Sequence, residues 1–394
     1  MNVTPERPMG AARPHLAARV SDGLNRLTGA VLRRLQWHPT VLAYPGYGQS
    51  DPQGWARVLG RVLWAPPSRR ADDDTDLRGW RRFLTCPVPD VPVQVWWPGA
   101  ESALTVRSGR GGYVDAVLPA TLPAGRHPIT LTVPRSPRPA THPDAPTPPD
   151  GGRATTEVTI ADRRPQIGLL SDIDDTVLIT HLPRPLLALW NTFVLRESAR
   201  VAVPGMDRLQ AAVAAAGGEP ALVVYLSTGP WNVVPALSSF LRRHRLRPGP
   251  MLMTDWGPTN TGWFRSGREH KATALRRLAR ELPQVRWLLV GDDGQHDPAL
   301  YADFADEHPD HVAAVAVRRL SKVEQVLAGH PERAGSRRGT APPAGSTVAP
   351  AAVPWVTAAD GNGLLDSLRR GGILPAAPAA ALPRQPAREN RHFE

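Results

Sequence analysis

Residues Leu169–Thr180 read LLSDIDDTVLIT. An apolar lead-in, Ile167-Gly168-Leu169-Leu170, runs into Asp172, with Asp174 two residues on and Thr176 two after that. The run suits a buried strand, which places Asp172 just past its C-terminal end. In an open α/β sheet that is where ligands bind. Continued alternation over Asp172, Asp174 and Thr176 would turn all three toward one side of an extended chain. Two carboxylates this close repel each other unless a cation or a proton lies between them. The pattern suits a magnesium ion and a phosphate, and it points to a phosphatase with an aspartate nucleophile. A polar strand end leading into a loop looks the same in isolation, so the downstream segments decide.

Three of them follow in the order this chemistry needs. Val223-Val224-Tyr225-Leu226 is a second buried strand, ending at Ser227-Thr228-Gly229-Pro230. A hydroxyl there, or the amides of the turn, can donate to a phosphoryl oxygen, and a helix beginning at Pro230 would favour an anion. Ser227 is the first choice as phosphate ligand and Thr228 the alternative; an ordinary helix cap is the competing reading. Phe264–Lys271 (FRSGREHK) opens the next helix. A compact ammonium neutralises nucleophile and phosphate together. The chain has 47 Lys+Arg, yet lysine occurs only at Lys271 and Lys322, so Lys271 marks a place where a guanidinium does not fit. Arg265 and His270 are candidates for contact with substrate phosphate or headgroup. Leu288-Leu289-Val290-Gly291-Asp292-Asp293 is a further strand ending in carboxylates, followed by Asp297. Magnesium takes oxygen ligands and keeps several waters, so a few protein ligands suffice. Asp172, the backbone carbonyl of Asp174 and Asp292 can supply them, with Asp293 and Asp297 as outer or alternative ligands.

The 394 residues are enough for two domains plus tails, and a 41% hydrophobic content is enough for real cores. A net charge of +11 attracts anionic partners without choosing among them. Cys86 is the only cysteine, which excludes an intramolecular disulfide and a cysteine zinc cluster. There is no apolar run of the roughly 18 residues a membrane span needs. No signal core follows Arg7 and Arg13, so a cytoplasmic protein is expected, with peripheral contact at an acidic membrane as the role open to its basic N-terminus.

Residues 13–36 read as a basic amphipathic helix, with Leu16, Val20, Leu24, Leu27, Val31 and Leu35 stepping by three or four among Arg19, Arg26, Arg33 and Arg34. Such a helix lies on a membrane surface or docks on the next domain, and docking is favoured. From His38 to Ala161 short alternating segments predict a small antiparallel β-sandwich, with strands at Val41–Tyr44, Ala56–Trp64, Val91–Trp97, Leu104–Ser108, Tyr113–Leu118, Ile129–Val133 and Thr156–Ile160. From Arg164 to Leu327 strands and helices alternate, which predicts α/β architecture with a mainly parallel, Rossmann-like sheet. The expected strands are Gln166–Asp172, Ala221–Ser227, Met251–Met253, Arg286–Gly291 and Val312–Val317. The expected helices are Pro204–Ala216, Trp231–Arg243, Glu269–Glu281 and Pro298–Glu307. Beyond Gly329 a Pro-, Ala- and Arg-rich composition predicts a mostly disordered tail, with a short helix around Gly363–Arg370. The resulting division is 1–37, 38–161, 162–328 and 329–394.

Together, Asp172-x-Asp174-x-Thr176, Ser227, Lys271 and Gly291-Asp292 with Asp297 resemble the four signatures of haloacid dehalogenase superfamily phosphatases. The finer similarity is to the actin-patch-type phosphatidate phosphatase catalytic domain, a branch related to the lipins. It is carried by Ser171–Thr176 (SDIDDT), Tyr225–Trp231 (YLSTGPW), Phe264–Lys271 (FRSGREHK) and Gly291–Tyr301 (GDDGQHDPALY), with Pro45–Gly48 (PGYG) and Gly60–Leu63 resembling that family's N-terminal region. The resemblance implies that Asp172 attacks phosphorus and that Asp174 is the acid and then the base. It further implies that Ser227 and Lys271 hold the phosphoryl group and that Asp292 holds Mg2+. Thr228-Gly229 departs from the bulkier polar residues expected after Ser227. The apolar segment Leu182–Val203 is too short for a cap domain; at the mouth of the site it would admit acyl chains, and otherwise it packs on the sheet. The function so implied is hydrolysis of phosphatidate to diacylglycerol and phosphate. The other classes are a phosphatase of a soluble or protein phosphomonoester, and a non-catalytic basic lipid-binding module. No motif reads nucleic acid, and no specific nucleic acid is expected.

Overall fold

Alternating apolar residues between His38 and Ala161 build seven strands: β1 (His38–Gln49), β2 (Trp55–Ala65), β3 (Pro92–Trp96), β4 (Leu104–Arg107), β5 (Tyr113–Pro119), β6 (Gly125–Thr132) and β7 (Arg153–Ala161). The computed structural model describes residues 23, 27–66, 86–134, 152–179, 201–254, 267–321, 324–325 and 353–376, except 51, 219 and 295. The predicted antiparallel sandwich is not what forms. The strands make one mixed sheet in the order β4-β3-β6-β7-β1-β2-β5, and its edges β4 and β5 approach each other, so the sheet is nearly closed. Two features explain the difference. The first is a parallel pairing of Gly46–Gln49 with Val158–Ala161, joining segments more than a hundred residues apart. Alternation along a strand says which side is buried, not which strand lies alongside. The second is a register shift in the β1–β2 pairing between Tyr44 and Tyr47, which bends the ribbon. A Cβ on Gly46 would lie 2.2 Å from the Arg57 carbonyl oxygen, so this bend requires the glycine of the PGYG segment. Inside the curl Val58, Val62, Val93, Val95, Ile129, Leu131 and Val158 form an apolar core.

The second sheet is all parallel and has six strands. β8 (Gln166–Asp172), β11 (Val223–Pro230), β12 (Met251–Thr254), β13 (Val285–Asp292), β14 (Val312–Arg318) and β15 (Trp355–Ala358) run in the order β12-β11-β8-β13-β14-β15. Runs such as Leu288–Val290 and Val312–Val317 are buried throughout, because helices cover the sheet. These are α1 (Met206–Gly217), α2 (Val234–Arg243), α3 (Gly267–Glu281), α4 (Asp297–Glu307) and α5 (Gly361–Arg370). A two-stranded ribbon, β9 (Leu178–Ile179) with β10 (Val201–Ala202), closes the ends of the apolar insert; residues 180–200 of that insert lie outside the described set. β15 lies in the stretch read from composition as tail, and α5 forms where a short helix is expected. They add an edge strand beside β14 and a helix packed on α1.

The chain leaves β8 for β11 and β12 on one side, then returns to β13 on the other. The strand order therefore reverses between β8 and β13, and the crevice outside their carboxyl ends is the switch point where such sheets bind ligands.

The two sheets share contacts along a line. Gln49 Nε2 donates to Gln284 Oε1 (3.3 Å), just before β13 begins. Tyr47 Oη donates to Glu281 (2.6 Å), and Arg57 pairs with Glu281 and Asp115. Arg277 reaches Asp115 (3.3 Å). At the far end Trp231, just after β11, stacks on Tyr44 with ring centres 5.2 Å apart and meets Tyr113 at 6.0 Å. Read backward from Gln49, β1 thus climbs from the amino ends of the parallel strands to their carboxyl ends.

Candidate active site

Three adjacent strand ends supply the site. β8 delivers Asp172, β11 delivers Ser227 beside it (Leu226 is the register partner of Asp172), and β13 delivers Asp292. The strand ends are extended and fully packed, so their side chains are fixed before any ligand arrives. Lys271 projects from the first turns of α3 and Asp297 from the first turn of α4.

Asp172, Lys271, Asp292 and Asp297 form one buried cluster. Lys271 Nζ donates to Asp172 Oδ1 and to Asp297 Oδ1, both at 2.7 Å. One oxygen each of Asp172, Asp292 and Asp297 lies within 4.8 Å of the others. Asp292 Oδ1 accepts the Gly294 amide at 2.8 Å, while the Oδ2 atoms of Asp172, Asp292 and Asp297 meet no hydrogen-bond partner among the described residues. Gly291 makes the crowding feasible: a Cβ there would sit 2.8 Å from Asp297 Oδ2 and 2.9 Å from the Tyr301 ring.

The charges do not balance. Among the described residues one ammonium faces three buried carboxylates, and a buried charge without a partner is strongly disfavoured. Burial pushes Asp172 well up, against the downward pull of Lys271 and with further upward pushes from Asp297 and Asp292. Burial, then Asp297, pushes Asp292 up to about 8. Burial alone would lower Lys271, but Asp172 and Asp297 outweigh it and hold the ammonium above its usual value. The cluster without metal therefore keeps a proton where a cation would serve. Three convergent buried carboxylates, each with an oxygen lacking a donor among the described residues, are the kind of set a hard divalent cation prefers, so the residues fit a metal of the magnesium class.

A stability measurement follows from this. Between the unfolded value of 3.8 and the folded value of about 8, the native state holds a proton on Asp292 that the unfolded chain has lost. Stability from this group accordingly falls as pH rises through that window. A bound divalent cation takes over the proton's place and itself competes with protons at low pH. Saturating magnesium is expected to raise Tm more at about pH 8 than at about pH 5, read by thermal denaturation against a chelator control. An equal rise at both would count against the carboxylate cluster as the binding site.

The other expected residues fall into three groups. Asp174 and Ser227 meet: Ser227 Oγ donates to Asp174 Oδ2 at 3.4 Å and accepts the Gly229 amide at 3.0 Å. Thr176 is fully buried. The extended chain expected through these residues does not form. β8 stops at Asp172, and a turn follows in which Asp175 has φ 56°. The helix expected from Trp231 begins as a single 3-10 turn, with α2 starting only at Val234, so its amino end is set back from Ser227. Thr228 packs against Gly267, where a Cβ would lie 2.6 Å from its Cγ2. His270 Nε2 lies 3.3 Å from the Leu252 carbonyl oxygen, toward β12. Asp293 faces outward and accepts the Leu320 amide at 2.8 Å, and it is not in the carboxylate cluster. Arg265 lies outside the described residues.

Sequence reasoning passed over Arg318. This buried side chain ends β14, donates to the Asp175 carbonyl oxygen (2.7 Å) and to the Ala359 carbonyl oxygen (3.1 Å), and pairs with Glu324 (2.6 Å). It thereby ties down the turn that carries Asp174. The available signal was an arginine ending the apolar run Val312–Val317.

Residues 167–319 match the family described as phosphatidate phosphatase APP1, catalytic domain, and the matched span contains every residue of the cluster. The segment is similar to that family. The chain is 22% identical over 167 residues to phosphatidate phosphatase APP1 of Saccharomyces cerevisiae, covering 42% of this chain and 28% of that protein. It is 24% identical over 164 residues to an uncharacterised protein of Schizosaccharomyces pombe, covering 41% of this chain and 26% of that one. The shared region is thus little more than a quarter of either relative. Among solved structures, a carbohydrate acetylesterase from Xanthomonas citri aligns at a TM-score of 0.25 and 12% identity over 72% of this chain and 70% of its own, which carries no argument. Among the described residues no helix is long and apolar enough to cross a membrane.

Proposed function

We propose that this protein is a magnesium-dependent phosphatidate phosphatase acting through an aspartyl-phosphate on Asp172. The observation that carries the reading is the state of that carboxylate. Its Oδ1 is fixed by Lys271 at 2.7 Å, and its Oδ2 is held at the strand end with no donor on it. A held, unengaged oxygen is what an in-line attack needs.

In the first step Asp172 Oδ2 forms a bond to phosphorus as the ester P–O bond breaks, and Asp174 gives its proton to the departing alkoxide. In the second, water attacks phosphorus, Asp174 takes its proton, and the Asp172–phosphorus bond breaks to release phosphate. Lys271 offsets negative charge on nucleophile and phosphoryl group throughout. Ser227 orients Asp174 and is near enough to donate to a phosphoryl oxygen. Asp292, Asp297, the Asp174 carbonyl and the other Asp172 oxygen, Oδ1, would hold the cation, which supplies charge neutralisation at the phosphoryl oxygens.

The lipid substrate rests on the family that residues 167–319 match and on the relative's name. Its test is preference. Phosphatidate in mixed micelles is expected to be hydrolysed with kcat/KM at least about tenfold above glycerol phosphate and a phosphopeptide. Equal or better turnover of either soluble ester would keep the reaction and remove the lipid assignment.

A further inference from the structure

Residues 27–34 form a helix that packs one face against the rest of the described residues. On the docked side Leu32 packs against the core of the curled sheet, a Cβ on Gly29 would sit 3.4 Å from the Trp64 indole nitrogen, and Arg33 lies over the Trp64 ring at 5.7 Å. On the other side Leu27, Val31 and Leu35 are 66%, 50% and 58% exposed. Their spacing of four places them in one row along the helix. Arg34 is exposed beside the row, and in the sequence Leu24, Val20 and Leu16 precede it at steps of three or four, with Arg26 and Arg19 between. An apolar row with an exposed arginine beside it matches the chemistry of an anionic bilayer surface, apolar below and negatively charged at the headgroups.

The position of the helix is the second observation. The contacts between the sheets run from Gln49–Gln284, at the amino ends of the parallel strands, to Tyr44–Trp231 at their carboxyl ends. β1 continues in that same sense from Tyr44 to His38, where it pairs with Ala65 beside Trp64. The helix on Trp64 therefore lies along β1 beyond the Tyr44–Trp231 contact, away from Gln49–Gln284. We infer that Leu27, Val31 and Leu35, with Arg34, are a membrane-docking surface that sets the carboxylate site toward an anionic lipid bilayer. The inference rests on the phosphatidate reading for the identity of the substrate drawn from that bilayer, and not for the docking itself.

The experiment is sedimentation of full-length protein with vesicles of phosphatidylcholine alone or with about 30% phosphatidylglycerol, an anionic lipid that offers no phosphomonoester to the site. Wild-type protein is expected to sediment with the anionic vesicles. Leu27→Asp/Val31→Asp/Leu35→Asp is expected to lose about tenfold in binding, and Arg34→Glu to lose most of the preference for the anionic vesicles. Both variants should keep the wild-type Tm and hydrolysis of p-nitrophenyl phosphate. The single variant Leu27→Ser serves if the triple variant melts early. Wild-type protein that ignores anionic vesicles overturns the inference. So does a triple variant that binds like wild type, or one whose only change is from dimer to monomer. Vesicle binding without phosphatase activity would remove the enzymatic reading and leave the docking surface; activity on soluble esters without vesicle binding would do the reverse.

Discussion

Asp172→Asn is expected to lower phosphate release from any phosphomonoester by about four orders of magnitude or more, while the protein remains folded. An amide oxygen does not attack phosphorus, so nothing else in the cluster replaces the lost nucleophile. Folding should survive because the change removes one of three crowded carboxylates and keeps the shape of the side chain. Asp172 is a residue whose charge burial disfavours, and Lys271 retains Asp297 at 2.7 Å as partner. Tm without metal should therefore be equal or higher in the variant, and its response to magnesium weaker. Asp293→Asn is the matched control. That carboxylate faces outward and accepts the Leu320 amide, so its loss should leave activity within a few-fold of wild type. A dead Asp293→Asn alongside an active Asp172→Asn would exchange the roles assigned to the two.

Lys271→Met should cost both activity and stability. Removing one partner of a buried ion pair typically destabilises by about 3–5 kcal/mol, and here the lysine bridges two carboxylates with a third nearby. Without it, Asp172, Asp292 and Asp297 share a buried site with no protein cation in the cluster. Protons can take over part of its task. The native state then binds more protons than the unfolded chain, so the loss should be smaller at about pH 5 than at about pH 8. Urea denaturation at the two pH values measures this directly. Lys271→Arg is not expected to rescue, because a planar guanidinium does not fit where one buried nitrogen contacts two oxygens at 2.7 Å. A Lys271→Met protein as stable as wild type at pH 8 would show that the carboxylates are neutralised in some other way.

The strand-end aspartates, the serine and the lysine were legible in the sequence because each follows a uniform apolar run or opens a helix. Local periodicity reports such positions well. Asp297 is harder to read: its spacing after Asp292 suggests an outer or alternative ligand, yet it faces Asp172 through Lys271, and the close approach of α4 to Gly291 brings it there. Asp293 shows the opposite error, since its neighbour Asp292 takes the inward position and the chain turns between them. The curled mixed sheet was not legible. Its parallel β1–β7 pairing and its near closure depend on contacts between distant segments, and alternation within a strand carries no information about those. β15 was hidden for a related reason: four residues, Trp355–Ala358, form a strand only because the edge of β14 is there to pair with them.

The most direct measurement is a single-turnover quench with phosphatidate carrying a labelled phosphate, followed by mapping of any label left on the chain. Label that appears on Asp172, is released by hydroxylamine and persists longer in Asp174→Asn is the expected result. Phosphate released from the lipid with no label ever on Asp172 would contradict the proposed nucleophile and the mechanism built on it.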